Sequence, residues 1–145
     1  SIEHPIAQYQ WKEMADLCRN TPLPIALDEE PIGVGTLDEK RTLLDTIKPQ
    51  YIVVKPRLHG RKSGANEWVS EAQKRGIGSW MTSALESNIG LRNVALLAAR
   101  VYNITPETAH KTMPQGLGTG MLYTDNIEMD MELRHEKMWR CEVAD

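Results

Sequence analysis

Tyr51-Ile52-Val53-Val54-Lys55-Pro56 is the stretch whose reading decides the fold of this chain. A contiguous β-branched run bounded by turn formers reads as a strand buried on both faces, the mark of a parallel sheet. Such a strand has no wet side. Lys55 stands at its carboxyl end, where α/β sheets present their chemistry. An ammonium there is costly unless it meets a carboxylate, a metal-bound anion or water. Lys55 is therefore the first functional candidate.

Working outward toward the amino end, Pro24-Ile25-Ala26-Leu27 is a second apolar run, ending at Asp28-Glu29-Glu30. Between the two runs, 38–48 reads as a helix with Leu43, Leu44 and Ile47 on its buried side and Thr36 or Asp38 as N-cap. Before them, 10–19 places Trp11, Met14, Ala15 and Cys18 at helical spacing, with Asn20 closing the helix, and 2–6 is a short strand-like piece carrying Glu3. Toward the carboxyl end come a polar loop over 59–66, a helix over 65–75 stopped by Gly76, and a strand over 79–83. A strongly apolar helix over 88–102 follows, with Leu91, Val94, Ala95, Leu97, Ala98 and Val101 expected to pack deeply. The glycines at 116, 118 and 120 form a strand end or loop that backbone approaches closely.

The proposed strand ends Glu3, Asp28, Lys55 and Ser83 are spaced by 25, 27 and 28 residues, close to the length of one right-handed βα unit. A doubly wound sheet and a (β/α)₈ barrel share that rhythm. A closed barrel needs ~250 residues, however, and five strands cannot close one. The series ends at a hairpin: Ile127, Met129, Met131 and Leu133 alternate with charged residues, His135-Glu136-Lys137 can turn, and Trp139, Cys141 and Val143 alternate again.

Composition excludes several classes. At 145 residues, 41% apolar and 26% charged, the chain is an ordinary globular domain that buries ~70% of its unfolded surface. A net charge of −3 with no basic run leaves no footprint for nucleic acid or a membrane surface. No apolar run approaches the roughly 18 residues of a membrane span. Cys18 and Cys141 have no framework spacing and read as free thiols of a reducing, cytoplasmic compartment. A start without Met on apolar Ile2 suggests a cut.

Glu3 and Asp28 end consecutive strands, and carboxylates so placed can share a hard divalent cation, Mg²⁺ or Mn²⁺. The plain alternative is that each is a turn former or a first-turn charge. Lys55 could simply neutralise Asp28; as a catalyst it would be a general acid or base, or a cation against a developing enolate. Thr82, Ser83, Glu86 and Ser87 offer hydroxyls and a carboxylate at the fourth strand end, or merely caps. The glycines at 116–120 do not match GxGxxG, so dinucleotide binding has little support. His4, His59, His110 and His135 form no HxH or HExxH pair and read as solvated side chains, not zinc ligands.

Taken together, Ser1-Ile-Glu3-His-Pro-Ile6, Pro24-Ile-Ala-Leu-Asp28-Glu-Glu30, Tyr51-Ile-Val-Val-Lys55-Pro56, Thr82-Ser-Ala-Leu-Glu86-Ser-Asn-Ile-Gly-Leu91 and Gln115-Gly-Leu-Gly-Thr-Gly120 resemble the C-terminal half of the o-succinylbenzoate synthases, in the enolase superfamily. The resemblance runs over nearly the whole chain, and the segment 83–91 is its most specific part. It implies an α/β fold, the C-terminal part of a (β/α)₇β barrel: strands four to eight over 1–124, and a hairpin over 125–145 belonging to an α+β capping domain. It further implies Glu3 and Asp28 as Mg²⁺ ligands, Lys55 as a catalytic lysine, and Thr82, Ser83 and backbone near Gly116 as substrate contacts. The implied reaction is the syn-dehydration of 2-succinyl-6-hydroxy-2,4-cyclohexadiene-1-carboxylate to o-succinylbenzoate, a step of menaquinone biosynthesis in which the metal stabilises an enediolate.

The family's base belongs to a Lys-x-Lys motif, which this sequence lacks, as it lacks the third metal ligand. The expectation is thus a fragment, inactive alone, whose partners are a small carboxylate substrate and the N-terminal half of the same protein, with self-association through unpaired barrel edges. An N-acylamino acid racemase or a dipeptide epimerase would use the same ligands. A lyase using Lys55 as a Schiff-base nucleophile, and an assembly module without activity, are the readings from other classes.

Overall fold

A computed structural model describes residues 1–119 and 123–141 of the chain; Gly120 of the glycine run and Val143 of the expected hairpin face lie outside the described residues. The order is β1 (Ile2–Glu3), α1 (Trp11–Asn20), β2 (Ile25–Leu27), α2 (Leu37–Ile47), β3 (Tyr51–Val54), α3 (Arg61–Lys74), β4 (Gly78–Met81), α4 (Asn88–Val101), a 3₁₀ turn (Ala109–Lys111), β5 (Met131–Arg134) and β6 (Lys137–Arg140). Two compact units result, Ser1–Trp80 and the chain from Met81 onward.

In the first unit the strands lie in chain order, β1-β2-β3-β4. β1 pairs parallel with β2, Glu3 opposite Ala26, and β2 pairs parallel with β3, Ala26 opposite Tyr51 and Leu27 opposite Ile52. Strands that follow chain order through right-handed crossovers carry their helices on one face. Ile25, Leu27, Ile52 and Val54 share one parity of this register and are wholly buried, so theirs is the face that needs the apolar cover of helices. Glu3, Ala26, Asp28, Val53 and Lys55 share the other.

Helix boundaries follow local chemistry. Thr36 caps α2 through a capping box with Glu39: its hydroxyl accepts from the Glu39 N–H, and the Glu39 carboxylate accepts from the Thr36 N–H. The other candidate, Asp38, lies inside the first turn. Met14 and Cys18 are the buried residues of α1, and burial pushes the Cys18 thiol up. Helix α3 begins at Arg61, four residues ahead of the start read from hydrophobic spacing. Gly60 and Arg61 both take positive φ, 84° and 58°, and Gly64 sits in the first turns because a Cβ there would come within 1.8 Å of the His59 carbonyl oxygen. Strand β4 ends at Met81, two residues short of the expected 79–83.

Between α2 and α3 lies an ionic clasp. The nearly buried Glu71 carboxylate accepts from Lys74 Nζ (2.6 Å), Arg75 Nη1 (2.7 Å) and Arg41 Nε (3.2 Å). These donors hold its pKa down to about 2. Arg75 also forks onto Asp45 at 2.7 and 2.9 Å. Lys40 is fully buried, its Nζ 2.6 Å from Glu67 Oε2 and 5.7 Å from the centre of the Trp68 ring.

In the second unit, Leu91, Val94, Ala95 and Ala98 of α4 are buried, while Leu97 and Val101 stay half-buried. Arg92 forks onto Asp130 at 2.5 and 2.8 Å, and Asn88 Nδ2 donates to the Ile127 carbonyl. Arg92 draws the Asp130 pKa down to about 2. The hairpin β5–β6 is antiparallel and turns through His135 and Glu136, both at positive φ, the backbone demanded of a two-residue primed turn. It is shorter than the alternation suggested, since Ile127 and Met129 lie outside the strand. The register also separates the expected apolar positions: Leu133 faces Met138, but Trp139 faces Glu132 and is half exposed.

Candidate functional site

Glu3, Asp28 and Lys55 stand at the carboxyl ends of β1, β2 and β3, on three neighbouring strands. Asp28 lies two residues beyond Ala26, the partner of Glu3, and Lys55 two beyond Val53, which continues the same register opposite Asp28. Two residues of strand are ~6.6 Å, and the one-residue stagger per strand of an eight-stranded barrel takes up half of that rise. A rise of ~3.3 Å per strand is left, which a long side chain spans. Lys55 does span it: its Nζ donates to Asp28 Oδ2 at 2.7 Å, with both side chains more than four-fifths buried. The other oxygen, Asp28 Oδ1, is buried with no hydrogen-bond partner. Glu3 is exposed at the end of the outer strand β1.

The three acidic residues after β2 have separate duties. Asp28 meets Lys55. Glu29 Oε2 lies 3.3 Å from His4 Nδ1, which also accepts from the Asp28 N–H at 3.4 Å. Glu30 is buried and ties down the β1–α1 loop, accepting from the Tyr9 N–H (2.6 Å) and Trp11 Nε1 (2.9 Å). Asp28 Oδ1 and Glu29 Oε2 are both buried without a hydrogen-bond partner, and of the two residues Asp28 is the one ion-paired to Lys55.

The histidines need correction. His59 is 2% exposed and His4 has an 8% exposed side chain, so neither is solvated. His59 Nδ1 accepts from the Lys55 N–H at 3.1 Å, its own N–H donates to the Lys55 carbonyl at 3.0 Å, and its ring lies against Trp68 with centroids 6.1 Å apart. Burial first, and then the charge of Lys55, depress its pKa to about 4. No pairing motif announces it, because its partner is a backbone group four residues away. The one sequence signal was a histidine inside a short strand-to-helix loop.

Thr82, Ser83 and Gly116 come together in the second unit. Thr82 and Gly116 form an isolated parallel bridge in place of a fifth full strand; the Thr82 hydroxyl donates to the Gly116 carbonyl at 3.0 Å. A Cβ at residue 116 would lie 2.3 Å from that hydroxyl, so glycine is what the approach requires. The Ser83 hydroxyl donates to Glu86 Oε2 (2.6 Å) and accepts from the Leu85 N–H (3.0 Å) and Thr119 Oγ1 (2.6 Å). With both hydroxyls engaged, the pair builds a turn; Glu86 Oε1 is left buried without a partner. The Ser87 side chain makes no cap on α4.

Glu3 and Asp28 end neighbouring strands, Glu3 exposed and Asp28 mostly buried, and among the described residues no cluster of three or more His, Cys, Asp and Glu side chains forms a metal site. Mg²⁺ usually takes one or two carboxylates and keeps several waters. The unpartnered Asp28 Oδ1 is an oxygen of the kind it needs, so the residues present fit part of such a site. Among the described residues, no helix is long and apolar enough to cross a membrane.

No family model matches the chain. It is 53% identical over 131 residues to an o-succinylbenzoate synthase of Desulfotalea psychrophila, over 90% of this chain and 33% of that protein. The crystal structure of MenC from Desulfotalea psychrophila LSv54 superposes with a TM-score of 0.85 at 50% identity, covering 96% of this chain and 36% of that one. The L-Ala-D/L-Glu epimerase from Bacillus subtilis follows at 0.78 and the muconate lactonizing enzyme from Pseudomonas putida at 0.74, each 20% identical and matched over 95% of this chain and 36% of its own length. The last two share the fold. The chain spans about a third of the length of each of these relatives.

Proposed function

We propose, from the premise that this chain is related to the o-succinylbenzoate synthases of the enolase superfamily over nine-tenths of its own length, that it supplies one side of the active site of a Mg²⁺-dependent dehydratase. The substrate is 2-succinyl-6-hydroxy-2,4-cyclohexadiene-1-carboxylate and the product o-succinylbenzoate, as expected for menaquinone biosynthesis. In the reaction a C–H bond α to the carboxylate and the C–O bond to the neighbouring hydroxyl break, the ring becomes aromatic and water leaves. The observation that carries the reading is the placement of Glu3, Asp28 and Lys55 on one sheet face, with Lys55 Nζ 2.7 Å from Asp28 Oδ2 and Asp28 Oδ1 unpartnered.

Mg²⁺ bound by Glu3 and Asp28 would supply positive charge against the substrate carboxylate. Asp28 orients Lys55, so that its ammonium is held ready for negative charge that grows as the α-proton departs. The proton acceptor has to come from beyond this sequence, which contains no Lys-x-Lys. We therefore expect the chain alone to be inactive, and the hairpin β5–β6 to belong to a capping domain.

The test is to assay formation of the aromatic product by the chain alone and by the chain completed with the remaining two-thirds of the Desulfotalea psychrophila relative, with and without Mg²⁺. Turnover should need both the complement and the metal, Asp28→Asn should weaken Mg²⁺ binding in calorimetry, and Lys55→Ala should lower kcat by ~10²-fold or more. Chelator-resistant turnover with substrate trapped on Lys55 by borohydride would overturn the reading in favour of Schiff-base chemistry.

A further inference from the structure

Lys55 follows the last residue of β3, where the ladder no longer supplies partners for its backbone. Its carbonyl accepts from the Leu58 N–H at 2.9 Å and the His59 N–H at 3.0 Å, closing a tight turn over 55–59. The Lys55 N–H, one residue past the strand, is turned toward the His59 ring. His59 Nδ1 takes that N–H at 3.1 Å. Both backbone groups of the lysine are thus bonded to His59, the carbonyl also accepting from the Leu58 N–H.

The ring that does this is itself wedged. It is buried against Trp68 of α3, and the His59 carbonyl is packed so tightly on Gly64 that no Cβ fits between. Helix α3 therefore fixes His59, and His59 fixes the backbone from which the Lys55 side chain leaves toward Asp28. For Nδ1 to accept, the proton of the neutral ring must sit on Nε2. Nothing among the described residues accepts from Nε2, so the Lys55 N–H is the one hydrogen-bond partner of the ring nitrogens there.

We propose that His59 is the positioning residue of Lys55, holding the backbone of the lysine through Nδ1 so that its ammonium stays on Asp28. It touches neither substrate nor metal in this role. The inference takes from the reading above only that Lys55 is the functional lysine.

The experiment reads Lys55 directly and needs no turnover: trace acetylation of the chain with acetic anhydride, measured as the ratio of modification at Lys55 to that at the exposed Lys12. His59→Leu removes the acceptor, and His59→Asn restores one near the place of Nδ1. Release of one ion pair changes a population by roughly fivefold, so His59→Leu should raise the ratio about that much and His59→Asn leave it within about twofold. Trp68→Phe keeps an aromatic ring against His59 while loosening the packing around it; it should lower Tm and leave the ratio within about twofold, whereas a merely structural role for His59 would move the ratio in both variants alike. In the completed enzyme, His59→Leu should lower kcat about 10- to 100-fold with KM nearly constant, the size expected of a misplaced group. An unchanged ratio in folded His59→Leu, or equal changes in all three variants, overturns the positioning role. A ratio that moves as predicted in an enzyme without dehydratase activity leaves His59 in place and overturns the proposed function instead.

Discussion

Acidification from pH 7 to 5 should destabilise the first unit through His59. Its pKa is about 4 in the folded chain and about 6.5 unfolded. The unfolded state therefore binds more protons between those values, and stability is full above the unfolded pKa and falls as pH drops toward the folded one. The whole difference is about 3 kcal/mol, of which ~2 kcal/mol is lost by pH 5. His59 is 2% exposed, so water does little to screen its ring. Burial is the main cause, the charges of Lys55 and Lys40 add to it, and Asp28 opposes them. Glu71 and Asp130, both held near 2, stay ionised throughout that window. The assay is urea unfolding followed by tryptophan fluorescence in a Trp139→Phe background, which leaves Trp11, Trp68 and Trp80, all in the first unit. The urea midpoint should fall by roughly 1 M between pH 7 and 5, while His59→Asn should show a nearly flat midpoint. Parallel falls in parent and variant would refute the assignment of this pH dependence to His59.

Gly64→Ala should be among the most damaging single substitutions, because the added Cβ would lie 1.8 Å from the His59 carbonyl oxygen, a backbone atom with little freedom to yield. A loss of about 3 kcal/mol or more is expected by thermal or urea unfolding, and a loss under ~1 kcal/mol would contradict the close approach of α3 to the 55–59 turn. Thr36→Ala removes one half of the capping box with Glu39 and should cost about 1 kcal/mol. Glu39→Gln keeps a side-chain acceptor for the Thr36 N–H and should cost clearly less in the same denaturation series.

Much of the site was legible before any coordinates. Runs such as Ile52-Val53-Val54 and Ile25-Ala26-Leu27 have no polar side and must be buried strands, and the helices between them make the connections parallel crossovers. Acidic and basic residues at three successive strand ends then fall on one rim of the sheet by topology alone. What hydrophobic periodicity misjudged were the places where a specific close contact or turn settles the backbone. Helix α3 reaches back to Arg61 across a glycine that hydrophobic spacing reads as loop, because the helix abuts His59. Strand β4 stops at Met81 because Ser83 turns away to bond Glu86. Trp139 missed its expected face because the two-residue turn at His135-Glu136 sets the hairpin register, something alternation within each strand does not encode.

By itself the sequence determined the α/β architecture, the order of its elements and the placing of Glu3, Asp28 and Lys55 at three successive strand ends, since burial and chain connectivity follow from side-chain chemistry and spacing. Only the tertiary structure decided that Lys55 lands on Asp28 at 2.7 Å, that one Asp28 oxygen is left without a partner, and that His59 is a buried ring bonded to the lysine backbone. Those outcomes depend on strand stagger, on the close packing of α3 and on which donors remain once the backbone is satisfied. They are properties of the assembled sheet and helices, which no segment carries alone.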